Sequence, residues 1–189
     1  MKCINKRILK MSNLPKLIAF DLDGTLWSPD MYELWGGGSP FQIIDDGTKY
    51  LLDKNGRKVQ LLGISGEILH ELKYNPIWEN TICALASTTD EPQWAQECLE
   101  KFHTTPGNEP LVTCIDTPHI YKSNKQNHFR NMKKLYPHIE FSEMLFFDNE
   151  MYNITSVQKL GVHCIYSPEG MTEEIWNRGL EIYAQSKLK

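Results

Sequence analysis

Short apolar segments that end in polar residues recur along the chain, and their pattern predicts a sheet. Because these segments are apolar almost throughout instead of alternating, they are typical of strands buried on both faces, as in parallel sheets. The stretches between them carry apolar residues at helical spacing, which indicates helices on both faces. The pattern therefore predicts an α/β fold with a doubly wound, Rossmann-like parallel sheet. The strands are expected at residues 16–20, 81–86, 111–115, 144–147 and 162–166.

Five helices are expected beside this sheet. The first should begin at Ser65, a residue type that favours N-cap positions. The others are expected at residues 92–102 and 124–135, around residues 154–160 and at residues 171–185. The side chains that should face the core from three of these helices are Ile68, Leu69 and Leu72, then Phe129, Met132 and Leu135, then Ile154, Val157 and Leu160.

A small insertion is expected between the first strand and the first helix. Residues 27–48 are rich in Gly, Pro, Asp and aromatic residues without a period, which predicts a long loop. Residues 50–52 and 57–62 flank Asn55-Gly56, a dipeptide that favours a tight turn between two strands. The insertion is therefore predicted to be a β-hairpin, with no large cap domain and no second domain.

Composition and charge exclude several classes of protein. The chain has 189 residues and a formal net charge of −4, which argues against binding nucleic acid through its phosphates. Its apolar runs are too short to span a bilayer, and the first residues lack a secretory signal, so we expect a cytoplasmic protein. The five cysteines lack the spacing of a zinc site. Residues 1–13 are expected to be a basic extension outside a single domain at residues 14–189.

Carboxylates follow two of the predicted strands. Asp21 and Asp23 come directly after the first strand, and they share one face because the side-chain period of a strand is two. Two carboxylates held this close either share a proton or hold a cation between them. Asp148 ends another strand at the same edge of the sheet, where open parallel sheets bind ligands, and a third carboxylate favours the cation. An all-oxygen site of this kind suits Mg²⁺.

The residues after these acids carry a resemblance to a known superfamily. Gly24 lets the chain turn so that backbone N–H groups face a ligand, and Thr25 can form a hydrogen bond across the turn. The segment Asp21-Leu22-Asp23-Gly24-Thr25 resembles the first motif of the haloacid dehalogenase superfamily, which consists mostly of magnesium-dependent phosphatases.

Three further motifs of that superfamily have counterparts in the same order. Ser87 at the end of an apolar strand is similar to the second motif, and Lys125 near a helix start is similar to the third. Lys122 is the alternative to Lys125. Asp148 after Phe146-Phe147 is similar to the fourth motif. The resemblance covers residues 16–168.

Within the superfamily, the chain most resembles the small eukaryotic magnesium-dependent acid phosphatases. Shared features include Trp27 after the first motif and the Asn55-Gly56 turn. The chain departs from that family at Asn149, where a second Asp is usual, and at Thr88, where Arg is common. The loop at residues 30–40 also differs. These departures affect the expected substrate more than the expected reaction.

The resemblance implies a phosphatase that works through an aspartyl-phosphate. Asp21 would be the nucleophile and Asp23 the general acid and base. Mg²⁺ would be held by Asp21, Asp148 and the backbone carbonyl of Asp23. The expected phosphate ligands are Leu22 through its backbone N–H, Ser87, Thr88 and Lys125, and the supporting residues are Gly24, Thr25 and Asn149.

The substrate class follows from the missing cap. An open site should admit phosphotyrosine or phosphoprotein substrates, or sugar phosphates, so the expected partner is a phosphorylated small molecule or phosphopeptide. Trp27, Tyr32 and Trp35 could contact the substrate or only pack the long loop. The alternative function is a non-catalytic protein of the same fold that binds phosphorylated ligands.

Overall fold

The structure is a computed structural model, and it describes residues 14–44 and 46–188. These residues contain nine strands and five α-helices. The predicted basic extension at residues 1–13 lies outside the described residues and stays a prediction. The strands are β1 Leu17–Phe20, β2 Trp27–Ser28, β3 Gln42–Ile43, β4 Tyr50–Leu52, β5 Lys58–Leu61, β6 Ile82–Ser87, β7 Thr117–Ile120, β8 Met144–Asp148 and β9 His163–Tyr166. The α-helices are α1 Ser65–Tyr74, α2 Pro92–Lys101, α3 Lys125–Leu135, α4 Met151–Gln158 and α5 Glu173–Ser186.

Five of the strands form a parallel central sheet in the order β7-β6-β1-β8-β9. β1 lies in the middle, and each of its residues is fully buried, which explains why its sequence is apolar throughout. Phe20 pairs with Leu85 of β6 and with Phe147 of β8, so the carboxyl ends of these three strands lie side by side. The predicted parallel α/β sheet is confirmed.

Aromatic side chains fill the layers on both faces of this sheet. On one face Phe20 stacks on Phe147 with ring centroids 5.5 Å apart, and Trp176 of α5 packs against both rings. On the other face Phe129 of α3 meets Phe146 edge to face, with centroids 5.0 Å apart. Because successive strand residues point to opposite faces, Phe146 and Phe147 belong to two different cores.

The predicted hairpin is present, and it is part of a larger insertion. β4 and β5 pair antiparallel, and β2 and β3 extend them into a four-stranded sheet in the order β2-β5-β4-β3. Residues 27–48 are therefore not a loop throughout, since they contain β2, β3 and the 3₁₀ helix Met31–Leu34. The sequence pattern missed these elements because strands of two residues and a single helical turn are too short to show a period. In the described residues no large cap domain is present.

The buried carboxylate of Asp53 fixes the loop after β2 onto this small sheet. It accepts hydrogen bonds from the backbone N–H groups of Asn55 at 2.9 Å and Arg57 at 2.7 Å, which close the hairpin turn. It also accepts one from the N–H of Gly38 at 3.2 Å. The hairpin therefore holds the loop at residues 30–38 in place.

The prediction of a strand at residues 111–115 is wrong. That segment is the 3₁₀ helix Leu111–Cys114, and its buried residues pack in the core beside α1 and α2. The strand is β7, whose sequence Thr117-Pro118-His119-Ile120 is too polar to show the buried pattern. β7 lies at an edge of the sheet, where Pro is tolerated because only one side of the strand is paired.

Three details of the helices differ from the prediction. Ser65 is the first residue of α1 and not its N-cap, which is Ile64; the Ser65 hydroxyl donates to the carbonyl of Leu62 at 2.7 Å. Leu135 is 60 % exposed at the end of α3, and Leu160 lies beyond the end of α4. No α-helix in the described ranges has both the length and the apolar character that crossing a bilayer requires.

Candidate active site

Three of the predicted site residues meet where the central strands end. Asp21 follows β1, Ser87 is the last residue of β6, and Asp148 is the last residue of β8. The parallel register aligns these ends, and the N–H of Asp21 donates to the carbonyl of Phe147 at 3.0 Å. All three side chains are buried. The sheet therefore places two carboxylates and a hydroxyl at one edge, as expected for ligand binding in an open parallel sheet.

Lys125 brings a buried positive charge to these carboxylates. It is the first residue of α3, and its side chain is 1 % exposed. Its ammonium donates to Asp21 Oδ1 and to the carbonyl of Ala86, and it lies 3.2 Å from Asp148 Oδ2. Lys122, the alternative, is 80 % exposed and pairs with Asp90 at 2.7 Å. The structure thus brings Lys125 into the site and leaves Lys122 at the surface.

The carboxyl groups of Asp21 and Asp23 are harder to ionise than ordinary aspartates. Burial raises the pKa of Asp21 to about 7, the charge of Asp148 adds to this, and Lys125 acts in the opposite direction. Burial also raises the pKa of Asp23, although Trp27 stabilises the ionised form through an indole N–H that donates to Asp23 Oδ1 at 2.7 Å. Burial therefore favours the protonated form of both carboxyl groups over that of an exposed aspartate, and the ammonium of Lys125 favours the ionised form of Asp21.

Asp148 is held by donors from the start of α4. The N–H of Glu150 donates to its Oδ1 at 2.7 Å, and the amide of Asn153 contacts both carboxylate oxygens at 3.2 and 3.1 Å. Sequence reasoning did not assign Asn153 to the site. Its position in the first turn of a helix that follows a strand-end acid is the signal that could have identified it.

The turn after Asp23 packs closely against Asn149. Gly24 has a φ of +71°, and a Cβ at this position would lie 2.2 Å from Asn149 Nδ2, so the turn requires glycine. The Thr25 hydroxyl oxygen accepts a hydrogen bond from the N–H of Asn149 at 3.0 Å. Gly24, Thr25 and Asn149 therefore support the site by holding the ends of β1 and β8 together.

Hydroxyl groups form one wall of an open cleft of about 520 Å³ above Asp21 and Asp23. Ser87, Thr88 and Thr89 line this wall, and the Ser87 oxygen accepts a hydrogen bond from the N–H of Thr89 at 3.3 Å. Its own O–H is therefore available to a ligand. Thr89 was not among the predicted site residues.

Two backbone donors belong to the segment 21–23, which follows β1 and whose two aspartates line the cleft. Within the described chain, the N–H groups of Leu22 and Asp23 have no hydrogen-bond acceptor, as expected for groups that could hold phosphate. The side chain of Leu22 is itself fully buried, so only its backbone can take part.

The aromatic residues near the cleft have different positions. Trp27 is fully buried against Phe102, with ring centroids 6.0 Å apart, and reaches the site only through its N–H to Asp23. Tyr32 lines the cleft and is 63 % exposed. Trp35 is 84 % exposed and is not part of the cleft lining.

The donor set fits a divalent cation. Asp21 and Asp148 converge on the single ammonium of Lys125, which leaves negative charge between them that a dication would offset. Carboxylate and carbonyl oxygens are ligands that Mg²⁺ prefers. Within residues 14–44 and 46–188, no three acidic, histidine or cysteine side chains cluster as a metal site, and the further ligand that the resemblance implies is the backbone carbonyl of Asp23.

A parallel sheet with these carboxylates at its central strand ends agrees with the expected resemblance to the haloacid dehalogenase superfamily. Solved structures share the fold. The N-terminal part of a Bacteroides fragilis protein containing a phosphatase domain, complexed with Mg, has a TM-score of 0.56 and 21% identity; the match covers 96% of this chain and 42% of that one. A 3-deoxy-D-manno-octulosonate 8-phosphate phosphatase from Moraxella catarrhalis has a TM-score of 0.51 and 14% identity, covering 96% and 92%.

Sequence comparison narrows the class to one family. Residues 13–186 match the Acid Phosphatase family model. The chain is 35% identical over 180 residues to Magnesium-dependent phosphatase 1 of Homo sapiens, covering 94% of this chain and 92% of that protein. It is 29% identical over 160 residues to a HAD-like hydrolase superfamily protein of Schizosaccharomyces pombe, covering 82% and 87%. The chain belongs to the acid phosphatase family and is a magnesium-dependent phosphatase that acts on phosphorylated substrates.

Proposed function

We propose that this phosphatase hydrolyses phosphomonoesters through an aspartyl-phosphate formed on Asp21. The observation that carries the proposal is that Asp21, Asp23 and Ser87 line one open cleft, while the buried ammonium of Lys125 donates to the Asp21 carboxylate. A carboxylate nucleophile is an established way to split phosphoryl transfer into two easier steps. A non-catalytic role would not require Asp21 and Asp23 together.

In the first step an Asp21 oxygen bonds to phosphorus as the bond between phosphorus and the leaving oxygen breaks. Asp23 gives its proton to that oxygen, so the alcohol departs neutral and Asp23 becomes a carboxylate. The buried environment that raises the pKa of Asp23 favours the protonated form that this step needs. Trp27 fixes the orientation of the carboxyl group.

In the second step Asp23 acts as a base. It takes a proton from a water molecule whose oxygen bonds to phosphorus, and the bond from phosphorus to Asp21 breaks. This releases phosphate and restores both side chains to their starting protonation states.

The other residues hold the phosphoryl oxygens. Lys125, the Ser87 hydroxyl and the backbone N–H groups of Leu22 and Asp23 would donate to them, and Thr88 lies on the same wall. Mg²⁺ held by Asp21, Asp148 and the carbonyl of Asp23 would neutralise charge on the transferring group. We propose phosphotyrosine or phosphoprotein substrates and sugar phosphates, because among the residues that the structure describes no large cap closes over the cleft.

The test is phosphate release from 4-nitrophenyl phosphate with Mg²⁺ and with EDTA, in the wild type and in Asp21→Asn. The substitution keeps the shape of the side chain and removes the attacking oxygen, so turnover should be lost. Glu181→Gln, which changes an exposed carboxylate near the end of α5, is the control for the loss of one charge. Beryllium fluoride should bind the wild type in Mg²⁺ but not Asp21→Asn. Turnover or an initial burst in Asp21→Asn would overturn the assignment.

A further inference from the structure

The mouth of the active-site cleft is lined by negative charge. Asp30, Asp90 and Glu150 line the cleft above the two site aspartates. Among the side chains that line the cleft in the described chain, none is a lysine or arginine. Asp90 is paired with Lys122, whereas Asp30 and Glu150 form no ion pair within the described residues. The mouth therefore keeps unbalanced negative charge.

The acidic groups lie close enough to act on one another. The pKa of Asp30 is raised to about 6, by burial first and then by the charges of Asp23, Glu33 and Glu150. A shared electrostatic field of this kind acts on any group that approaches the cleft. The other end of the cleft is different, because the buried ammonium of Lys125 contacts the cleft-lining Asp21, and Mg²⁺ held by Asp21 and Asp148 would add positive charge for a phosphate dianion. A phosphomonoester would thus meet positive charge at its phosphate and negative charge at its remaining part.

Tyr32 gives the same mouth an exposed aromatic face. Its side chain is 63 % exposed and lines the cleft beside Asp30, and the 3₁₀ helix Met31–Leu34 carries it. An exposed ring attracts cations through its π face, and it offers apolar contact to a substrate ring. The ring and the carboxylates therefore favour the same kind of ligand.

We propose, on the basis of the hydrolysis proposed above, that this mouth selects phosphomonoesters whose remaining part is cationic and discriminates against those with a second anionic group. Asp30 and Glu150 are the specificity-determining residues, and Tyr32 supplies the aromatic contact. Basic phosphopeptides and phosphorylated amines fit this class, whereas bisphosphates and phosphorylated acids do not.

Three aryl phosphates of similar shape test the selection: 4-(2-aminoethyl)phenyl, 4-ethylphenyl and 4-(carboxymethyl)phenyl phosphate. We expect kcat/KM to fall in that order, with the cationic substrate about tenfold better than the anionic one at low salt. Added NaCl should reduce the ratio, because it screens exposed charges. The ratio is unaffected by the fraction of active enzyme, so partial misfolding cannot mimic the result.

Charge-removing variants assign the selection to named residues. Asp30→Asn and Glu150→Gln should each lower the ratio of cationic to anionic kcat/KM, and the double variant should bring it close to one. Asp30 makes no capping hydrogen bond to its helix, so its substitution should preserve the fold. Glu181→Gln is the matched control and should keep the wild-type ratio.

The outcomes separate this inference from the proposed function. If 4-ethylphenyl phosphate is not hydrolysed, the proposed hydrolysis itself fails. If it is hydrolysed but the cationic and anionic substrates have equal kcat/KM, or if the ratio survives in the double variant, the selection by Asp30 and Glu150 is refuted.

Discussion

Lys125 is the residue on which the charge balance of the site depends. Its buried ammonium contacts the carboxylates of both Asp21 and Asp148. Removing one partner of a buried ion pair leaves the other charges without compensation, at a cost of about 3–5 kcal/mol. We expect Lys125→Met to lower the free energy of unfolding by about this amount in EDTA. Mg²⁺ should restore more stability to the variant than to the wild type, because the freed carboxylates can share the dication.

Urea denaturation with EDTA and with Mg²⁺ measures both effects. Lys122→Met is the matched control, because Lys122 is 80 % exposed and its pair with Asp90 lies at the surface. Exposed pairs contribute only about 0–1 kcal/mol, so this variant should unfold like the wild type. If Mg²⁺ raised the free energy of unfolding equally in Lys125→Met and in the wild type, the idea that Mg²⁺ and the Lys125 ammonium compensate the same two carboxylates would be contradicted.

Asp23 should matter most when the leaving group is a poor one. An alkyl alcohol needs a proton to depart, whereas an aryl alcohol needs little help. General acid catalysis typically contributes about 10²–10⁴-fold, so Asp23→Asn should slow phospho-enzyme formation by roughly this factor for alkyl phosphates and far less for aryl phosphates. Water activation is slowed in both cases, so aryl substrates should give a burst followed by slow turnover.

Single-turnover kinetics with both substrate types on the wild type and Asp23→Asn measure this difference. An asparagine oxygen can still accept the indole N–H of Trp27, which limits any structural change. Equal losses for alkyl and aryl substrates would show that Asp23 does not act as the general acid.

At the scale of residues, local sequence patterns predicted the site aspartates better than the side chains that contact them. Asp21 and Asp23 could be predicted to share a face because strand geometry alone determines it. Lys125 came from the resemblance, since a lysine at a helix start is ordinarily a surface charge. Asn153 contacts Asp148 across a strand-to-helix turn, and the side-chain direction at such a turn depends on the folded backbone.

At the scale of elements, a buried histidine anchors the first turns of α3. His128 Nε2 lies 3.1 Å from the carbonyl of Tyr121, to which it donates, and its buried Nδ1 has no hydrogen-bond partner among the described residues. The N–H of Tyr121 donates in turn to the carbonyl of Ser87 at 3.1 Å. These contacts link the helix that carries Lys125 to the strand end that carries Ser87.

The position of His128 makes the stability of the protein sensitive to acid. The pKa of His128 is lowered from 6.5 to about 4, by burial first and then by the charge of Lys125. Between these values the unfolded chain binds a proton that the folded chain does not, so the free energy of unfolding falls as the pH falls through this window. His128→Gln removes this contribution and should lose less stability between about pH 6.5 and pH 4.

Urea denaturation over a pH series measures the difference between wild type and His128→Gln. The exposed His138→Gln is the control for the loss of a histidine, and it should follow the wild-type curve. A constant difference between wild type and His128→Gln across the series would contradict the buried, neutral state of His128.

The elements that sequence reasoning predicted well are those with long uninterrupted patterns. β1, β6 and β8 are central strands, and their complete burial produces an apolar sequence that is easily identified. β7 pairs on one side only, so its sequence tolerates Thr, Pro and His, whereas the neighbouring 3₁₀ helix has the apolar sequence that is typical of a buried strand. Periodicity alone cannot separate a short apolar turn from a buried strand.

At the scale of the whole molecule, the open cleft should make turnover insensitive to the size of the substrate. Between Ser87 and Lys125 the described chain contains α2, a 3₁₀ helix and β7, which the core itself uses, and the insertion after β1 is a small sheet. With no domain that must close before reaction, free phosphotyrosine and phosphotyrosine in a neutral peptide should have kcat/KM values within about threefold of each other. A neutral peptide is required, because the charged mouth would otherwise alter the comparison. Phosphate release from both substrates under the same salt conditions measures the ratio. A loss of tenfold or more with the peptide would contradict open access to the cleft.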